Sequence, residues 1–174
     1  MKINSKKVGI LGGTFDPPHI GHLNISEIAL KKFNLDKVIW LVTKQNPLKE
    51  KTYLSADSRI KLSKNILKNH KKISVKFMDR RIKSRSTFDL LYFLKKKNKK
   101  TKFFFLIGAD NLINFHKWKK WKHIPLLAKI VVFARPNYST KALKSIASKK
   151  LNKNDWIYIN SKKINISSSL IRKF

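Results

Sequence analysis

At 174 residues with 42% hydrophobic side chains, the chain is long enough to bury a core as one compact domain over residues 1–174. The absence of cysteine excludes disulfides, thiolate nucleophiles and zinc–thiolate centres, and agrees with a reducing cytoplasm. The formal net charge of +32 attracts polyanions and small phosphorylated ligands alike; only six of the 41 basic residues are arginine, however, so the charge reads as a lysine-biased solvated surface rather than a designed nucleic-acid patch.

The opening "MKINSKKVGILGG" has a basic start, but its apolar stretch runs straight into glycines, unlike a signal peptide. No run approaches the roughly 20 apolar residues that span a bilayer. The expectation is a soluble cytoplasmic protein with no membrane partner. In chain order, "KKVGIL" is the first predicted strand and the Gly12–His22 stretch "GGTFDPPHIGH" follows it. Ile25, Ile28, Ala29 and Phe33 then fall on one face of a helix. "DKVIWLV" and "KISVKF" are the next two strands, and Leu90, Leu91, Phe93 and Leu94 mark a helix after Thr87. The run "KKKNKK", Lys95 to Lys100, reads as an exposed helix end and loop before the strand "KFFFLI". "KIVVFA" and "DWIYI" complete six strand-like runs. Near-continuous apolar runs suit parallel strands buried on both faces. The alternation predicts an α/β fold: a doubly wound, mainly parallel sheet with helices on both faces.

Such a sheet binds ligands at the carboxyl ends of its strands, near the first strand-to-helix turn. Gly12–His22 occupies that place. Its glycines are expected to allow tight turns and close approach of a ligand. Pro17 and Pro18 stiffen the turn and set the helix start near His19 or Gly21. Free N–H groups at that start make an anion site, at which His19 and His22, three residues apart, can address the same phosphates. The stretch is neither G-x-G-x-x-G nor a P-loop. A histidine metal site is the rival for the pair, yet no third histidine or local carboxylate completes it, so the expected resident metal is none. Asp16 is expected to brace the turn by accepting backbone N–H bonds.

"GGTFDPPHIGH" resembles the signature of the nucleotidyltransferase superfamily that carries H-x-G-H, and "ISSSLIR", Ile166 to Arg172, resembles its partner motif. Within that superfamily, "STFD" from Ser86, "IGADNL" from Ile107, "FHKWKKW" and "FARP" from Phe133 resemble the nicotinate-nucleotide adenylyltransferase family in order. The resemblance covers essentially the whole chain. It implies a Rossmann-like nucleotidyltransferase fold and transfer of the adenylyl group of ATP to nicotinate mononucleotide, giving deamido-NAD and pyrophosphate, with Mg²⁺ assisting. It also implies that His19, His22 and Arg172 are catalytic. The ATP contacts it implies are Gly12, Gly13, Thr14, Phe15, Gly108, Asp110, Ile166, Ser167 and Ser168, together with those three.

Asp110, at another strand end, would take a ribose diol, with a helix cap as the plain alternative. Tryptophans at helical spacing are usually core, the expected place of Trp121, whereas the resemblance implies that Trp118 stacks on the pyridine ring. The resemblance places Thr87 near the nicotinate carboxylate, with Arg85 or a backbone N–H helping, and Leu90, where relatives usually have Thr, is structural. Lys119 stands where relatives often carry an aromatic residue. Lys49 and Arg135 are weaker candidates for phosphate contacts, and a structural pairing is the competing role for Arg135.

Two alternatives remain open. Phosphopantetheine adenylyltransferase shares the superfamily chemistry, although that family typically has Thr at the position of His19. A non-enzymatic basic RNA-binding protein would suit the charge but leaves both phosphate motifs unused. The expected partners are ATP and nicotinate mononucleotide, with no specific nucleic acid; the oligomeric state stays open.

Overall fold

The computed structural model describes residues 6–43, 52–77, 82, 84 and 86–160. Six strands form one sheet in the order β3-β2-β1-β4-β5-β6, and every pairing is parallel. They are β1 (Lys7–Gly13), β2 (Lys37–Val42), β3 (Ile73–Phe77), β4 (Lys102–Gly108), β5 (Lys129–Phe133) and β6 (Trp156–Ile159). All six coincide with the apolar runs singled out above. The helices are α1 (Ile20–Phe33), α2 (Ala56–Ile66), α3 (Thr87–Lys97), α4 (Ala109–Asn114), α5 (Ser139–Leu143) and α6 (Ile146–Lys150). Two 3₁₀ turns, Phe115–Lys117 and Trp121–Leu126, lie between α4 and β5.

The strands alternate their side chains between two apolar clusters, which is why they read as continuous rather than period-two hydrophobic segments. On one face Val8, Ile10, Ile39, Leu41, Phe105 and Ile130 pack with Leu90, Leu91 and Leu94 of α3 and with Ala109 and Leu112 of α4. On the other face Leu11, Val38, Trp40, Leu106 and Val131 pack with Leu23 and Ala29 of α1 and with Leu67 after α2. Leu90 is a core residue, as expected. Ile25, Ile28 and Phe33 lean on the second cluster as partly buried neighbours. The deepest α1 positions include Ser26, which periodicity passes over. Its hydroxyl donates to the His22 carbonyl at 2.8 Å and accepts from Trp40 Nε1 at 2.8 Å, so the buried polar atoms are paired. Lys96, Lys97, Lys99 and Lys100 are exposed at and after the end of α3.

The register shows where the sheet opens. β1 pairs with β4 only as far as Leu11 and Leu106, whereas it stays paired with β2 to Gly13 and Val42. β4 continues beside β5 to Gly108 and Phe133. Gly12 and Gly13 therefore part from Ile107 and Gly108 at the carboxyl edge, at the point where strand order reverses. That is the crevice in which open α/β sheets bind ligands.

Candidate active site

The first wall of the crevice is the β1–α1 connection. Helix α1 starts with His19 as its N-cap in an extended conformation, where the two prolines direct it. Gly21 N–H donates to His19 Nδ1 at 3.1 Å, and His19 N–H donates to His22 Nδ1 at 3.2 Å. Two orphan donors of the helix end are thus satisfied by imidazoles instead of the usual hydroxyl and carboxylate. The arrangement has a chemical consequence: a nitrogen that accepts a hydrogen bond carries no proton, so each singly protonated ring keeps its N–H on Nε2. The rings lie 3.8 Å apart, centroid to centroid, and His22 also packs on Phe15 and Trp40.

His19 is held neutral. Burial foremost, and then the positive charge of Arg135, push its pKa from 6.5 down to about 4. It is therefore a neutral hydrogen-bond donor at physiological pH. Between pH 6.5 and about 4 the unfolded chain binds this proton more readily than the folded one, so the contribution to stability is full above 6.5 and is lost as pH falls through that window. The expected NMR result is a His19 imidazole that stays neutral, in the Nε2–H tautomer, at pH 5.5 and titrates near 4. A midpoint near 6.5 would contradict the buried placement.

The turn itself departs from one expectation. No described glycine has a positive φ; the left-handed residue is Phe15, with φ 52°. Gly12 and Gly13 continue β1 and leave that strand end without side chains, so they do not make the turn. The Phe15 side chain, 1% exposed, stacks on Trp40 at 5.0 Å, and that packing holds the turn in its strained conformation. Asp16 accepts backbone N–H bonds, as expected, and two of them come from a distant segment. These are donated by Tyr53 N–H at 2.7 Å and Leu54 N–H at 2.9 Å.

The second wall comes from β4 and β5. Gly108 caps α4 without a side-chain bond, and Asp110 in its first turn is not a helix cap. Asp110 Oδ2 instead accepts from Arg135 Nη1 at 2.6 Å, while its Oδ1 is buried with no partner among the described residues. Arg135 therefore has the structural pairing considered above, and its charge also reaches His19 across the crevice. Its guanidinium stands 5.6 Å from the Tyr138 ring.

A third group lies beside these walls. Trp118 follows the first 3₁₀ turn, tilted on Phe115 at 4.9 Å and edge-on to Phe105 at 6.1 Å. Trp121 packs edge-on to the same Phe115. Both are partly buried against the core, and the segment is a pair of 3₁₀ turns joined through a left-handed Lys120 rather than a helix. Lys119 Nζ reaches Asp89 Oδ2 at 2.8 Å, which draws the Trp118 turn onto the start of α3, where Thr87 is the first residue after the Ser86 cap. Burial raises the Asp89 carboxyl, but hydrogen bonds from Lys119, Ser84 and Ser86 outweigh it and hold the group below its usual range.

The structure therefore brings Gly12, Gly13, Thr14, Phe15, His19 and His22 to one strand end, with Gly108, Asp110 and Arg135 beside them. Thr87 and Trp118 are drawn together through Lys119 and Asp89. Lys49, Arg85 and the whole second motif, Ile166, Ser167, Ser168 and Arg172, lie outside the described residues. Among the described residues, no group of three or more His, Cys, Asp or Glu is placed to hold a metal ion. No helix of the described chain is long and apolar enough to cross a membrane.

Sequence reasoning passed over Arg59. It is 1% exposed and donates to Leu54, Thr14 and Thr43 carbonyls at 3.1, 2.5 and 2.8 Å. Burial lowers its pKa and the Asp16 carboxylate opposes that shift; a guanidinium stays charged throughout. One signal was available: in a chain so biased to lysine, a retained arginine marks a place where the planar fork is used.

Comparison with known proteins agrees with this geometry. A cytidylyltransferase-like family model matches residues 10–174. A protein of Pelagibacter ubique named "probable nicotinate-nucleotide adenylyltransferase" is 49% identical over 98% of this chain and 96% of its own length. One of the same name from Ruegeria is 43% identical over 82% of this chain and 75% of its own. The solved structure of Plasmodium falciparum nicotinic acid mononucleotide adenylyltransferase complexed with NaAD has the same fold, with a TM-score of 0.79 at 23% identity, covering 97% of this chain and 83% of that one. The chain thus belongs to the cytidylyltransferase-like family and, within it, to the nicotinate-nucleotide adenylyltransferases.

Proposed function

We propose that the chain transfers the adenylyl group of ATP to nicotinate mononucleotide, giving deamido-NAD and pyrophosphate in the cytoplasm, with the 174 residues acting as one catalytic unit. The observation that carries this reading is the pair of imidazoles at the start of α1, 3.8 Å apart, each with Nδ1 occupied by a backbone N–H, at the mouth of the opened sheet.

The acceptor's 5′-phosphate oxygen attacks the α-phosphorus of ATP, and pyrophosphate departs on the opposite side with the bonding electron pair. The phosphate nucleophile is already ionised, so no general base is required. Catalysis is in-line positioning and neutralisation of developing charge. His19 and His22 donate Nε2–H to phosphate oxygens, and the Gly12–Phe15 turn supplies backbone donors. Asp110 uses its unpartnered Oδ1 for the ribose hydroxyls, and Arg135, held beside it, faces the phosphates. Mg²⁺ enters with the triphosphate as part of the substrate.

Ser167, Ser168 and Arg172, with Ile166, hold the β- and γ-phosphates, and Lys49 adds a contact from the connection after β2. On the acceptor side Trp118 offers its π-face to the electron-poor pyridinium ring. Thr87 and Arg85 receive the carboxylate.

Pyrophosphate release from Mg²⁺ and ATP, measured across an acceptor panel, tests this. Nicotinate mononucleotide is expected to support turnover, nicotinamide mononucleotide less, because a site built for a carboxylate rejects its uncharged isostere. Phosphopantetheine should support none. Turnover with phosphopantetheine but not with the pyridine nucleotide would replace this reading with the alternative one.

A further inference from the structure

Among the described residues, the most deeply buried charged group lies under the proposed phosphate turn and takes no part in the mechanism above. Arg59, on α2, joins three separate pieces of chain: Thr14 of the turn, Thr43 just past β2, and Leu54 before the helix. Asp16 accepts from Tyr53 and Leu54 N–H, and Thr43 N–H donates to the Gly13 carbonyl at 3.0 Å. Three carbonyls from different segments converge on one buried planar fork, an arrangement a flexible ammonium cannot reproduce.

The peptide plane gives this a direction. In a trans peptide the C=O of one residue and the N–H of the next point oppositely. The Thr14 carbonyl points at Arg59 at 2.5 Å, so the Phe15 N–H points away from the guanidinium. That N–H has no partner among the described residues. Phe15 also carries the left-handed φ of 52°, a conformation that persists only where its surroundings enforce it.

We propose that Arg59 is a positioning residue for ATP: by drawing the Thr14 carbonyl inward, it presents the Phe15 N–H to a phosphate oxygen, and with Asp16 it locks the turn to the chain returning at Leu54. The proposal rests on the reading that the triphosphate lies at this turn, and it does not depend on which acceptor is used.

The test uses the full chain, with Arg59→Lys and Arg59→Met, and titrates a non-hydrolysable ATP analogue with Mg²⁺ in the absence of acceptor. Both folded variants are expected to bind the analogue about tenfold more weakly, the scale of one charge-assisted contact. KM for ATP should rise in parallel, and KM for nicotinate mononucleotide should stay within about threefold of the wild type on the same scale. Normal analogue affinity in a folded variant, or equal losses for both substrates, would overturn the proposal. In case neither variant folds, the wild-type Phe15 amide provides a second readout. Its proton resonance should move strongly downfield on analogue binding, and an unmoved Phe15 amide defeats the proposal. Wild-type protein that binds the analogue without adenylylating nicotinate mononucleotide would sink the acceptor assignment and leave Arg59's role standing. Wild-type turnover with undisturbed Arg59 variants would do the reverse.

Discussion

His22→Ala is expected to lower kcat for adenylyl transfer by about 100-fold or more, the scale of removing one preorganised donor from a developing charge. His22 is the third residue of α1, and its Nδ1 is occupied by the His19 N–H, so its remaining donor nitrogen is Nε2. The variant loses that donor and half of the imidazole pair. It also loses the acceptor on the helix start, which costs about 0.5–2 kcal/mol in stability. The two effects separate in measurement: melting temperature reports the cap, and kcat at saturating ATP reports the chemistry. Near-normal kcat in the folded variant would remove His22 from the transition state. Loss confined to KM would make it a ground-state binder only.

Gly108→Ala should produce the second large effect, through a residue that never touches substrate by its side chain. A Cβ built at Gly108 would stand 2.5 Å from Asp110 Oδ1, closer than any tolerable contact. The carboxylate must then swing away, loosening its 2.6 Å bond to Arg135 and misplacing the acceptor atom proposed for the ribose. A charge-assisted hydrogen bond is worth about 1.5–3 kcal/mol, so kcat/KM for ATP is expected to fall about 10- to 100-fold. The double variant Gly108→Ala/Asp110→Ala provides the check. If the glycine acts only by leaving room for this carboxylate, alanine at 108 should add almost nothing once Asp110 is gone. Additive losses in the double variant would mean that Gly108 serves the crevice in some other way.

Both expectations join a local feature to a distant one, and that division runs through the molecule. The inner strands were legible because they are buried on both sheet faces, so apolar side chains occur at nearly every position, while the partly buried edge strands β3 and β6 declared themselves by their β-branched and aromatic residues. "DKVIWLV" is the clearest case: five consecutive residues of β2, Val38–Val42, are buried. The helix start at His19 was equally legible, since two prolines and a capping side chain act within a few residues. His19 and His22 are one helical turn apart, so their convergence needed no tertiary information.

Sequence alone, then, determined the sheet, the place of the β1–α1 turn, its two histidines and the family. The tertiary structure decided what sets their electrostatics and their rigidity. Arg135 meets Asp110 across 25 residues and reaches His19 through space, Asp16 meets Tyr53 across 37, and Arg59 meets Thr14 across 45. Such pairings leave no period in the chain, because they depend on which strands lie side by side. The left-handed turn fell on Phe15 rather than on a neighbouring glycine for the same reason: stacking on Trp40, a β2 side chain, holds a backbone conformation that local propensity would have assigned elsewhere.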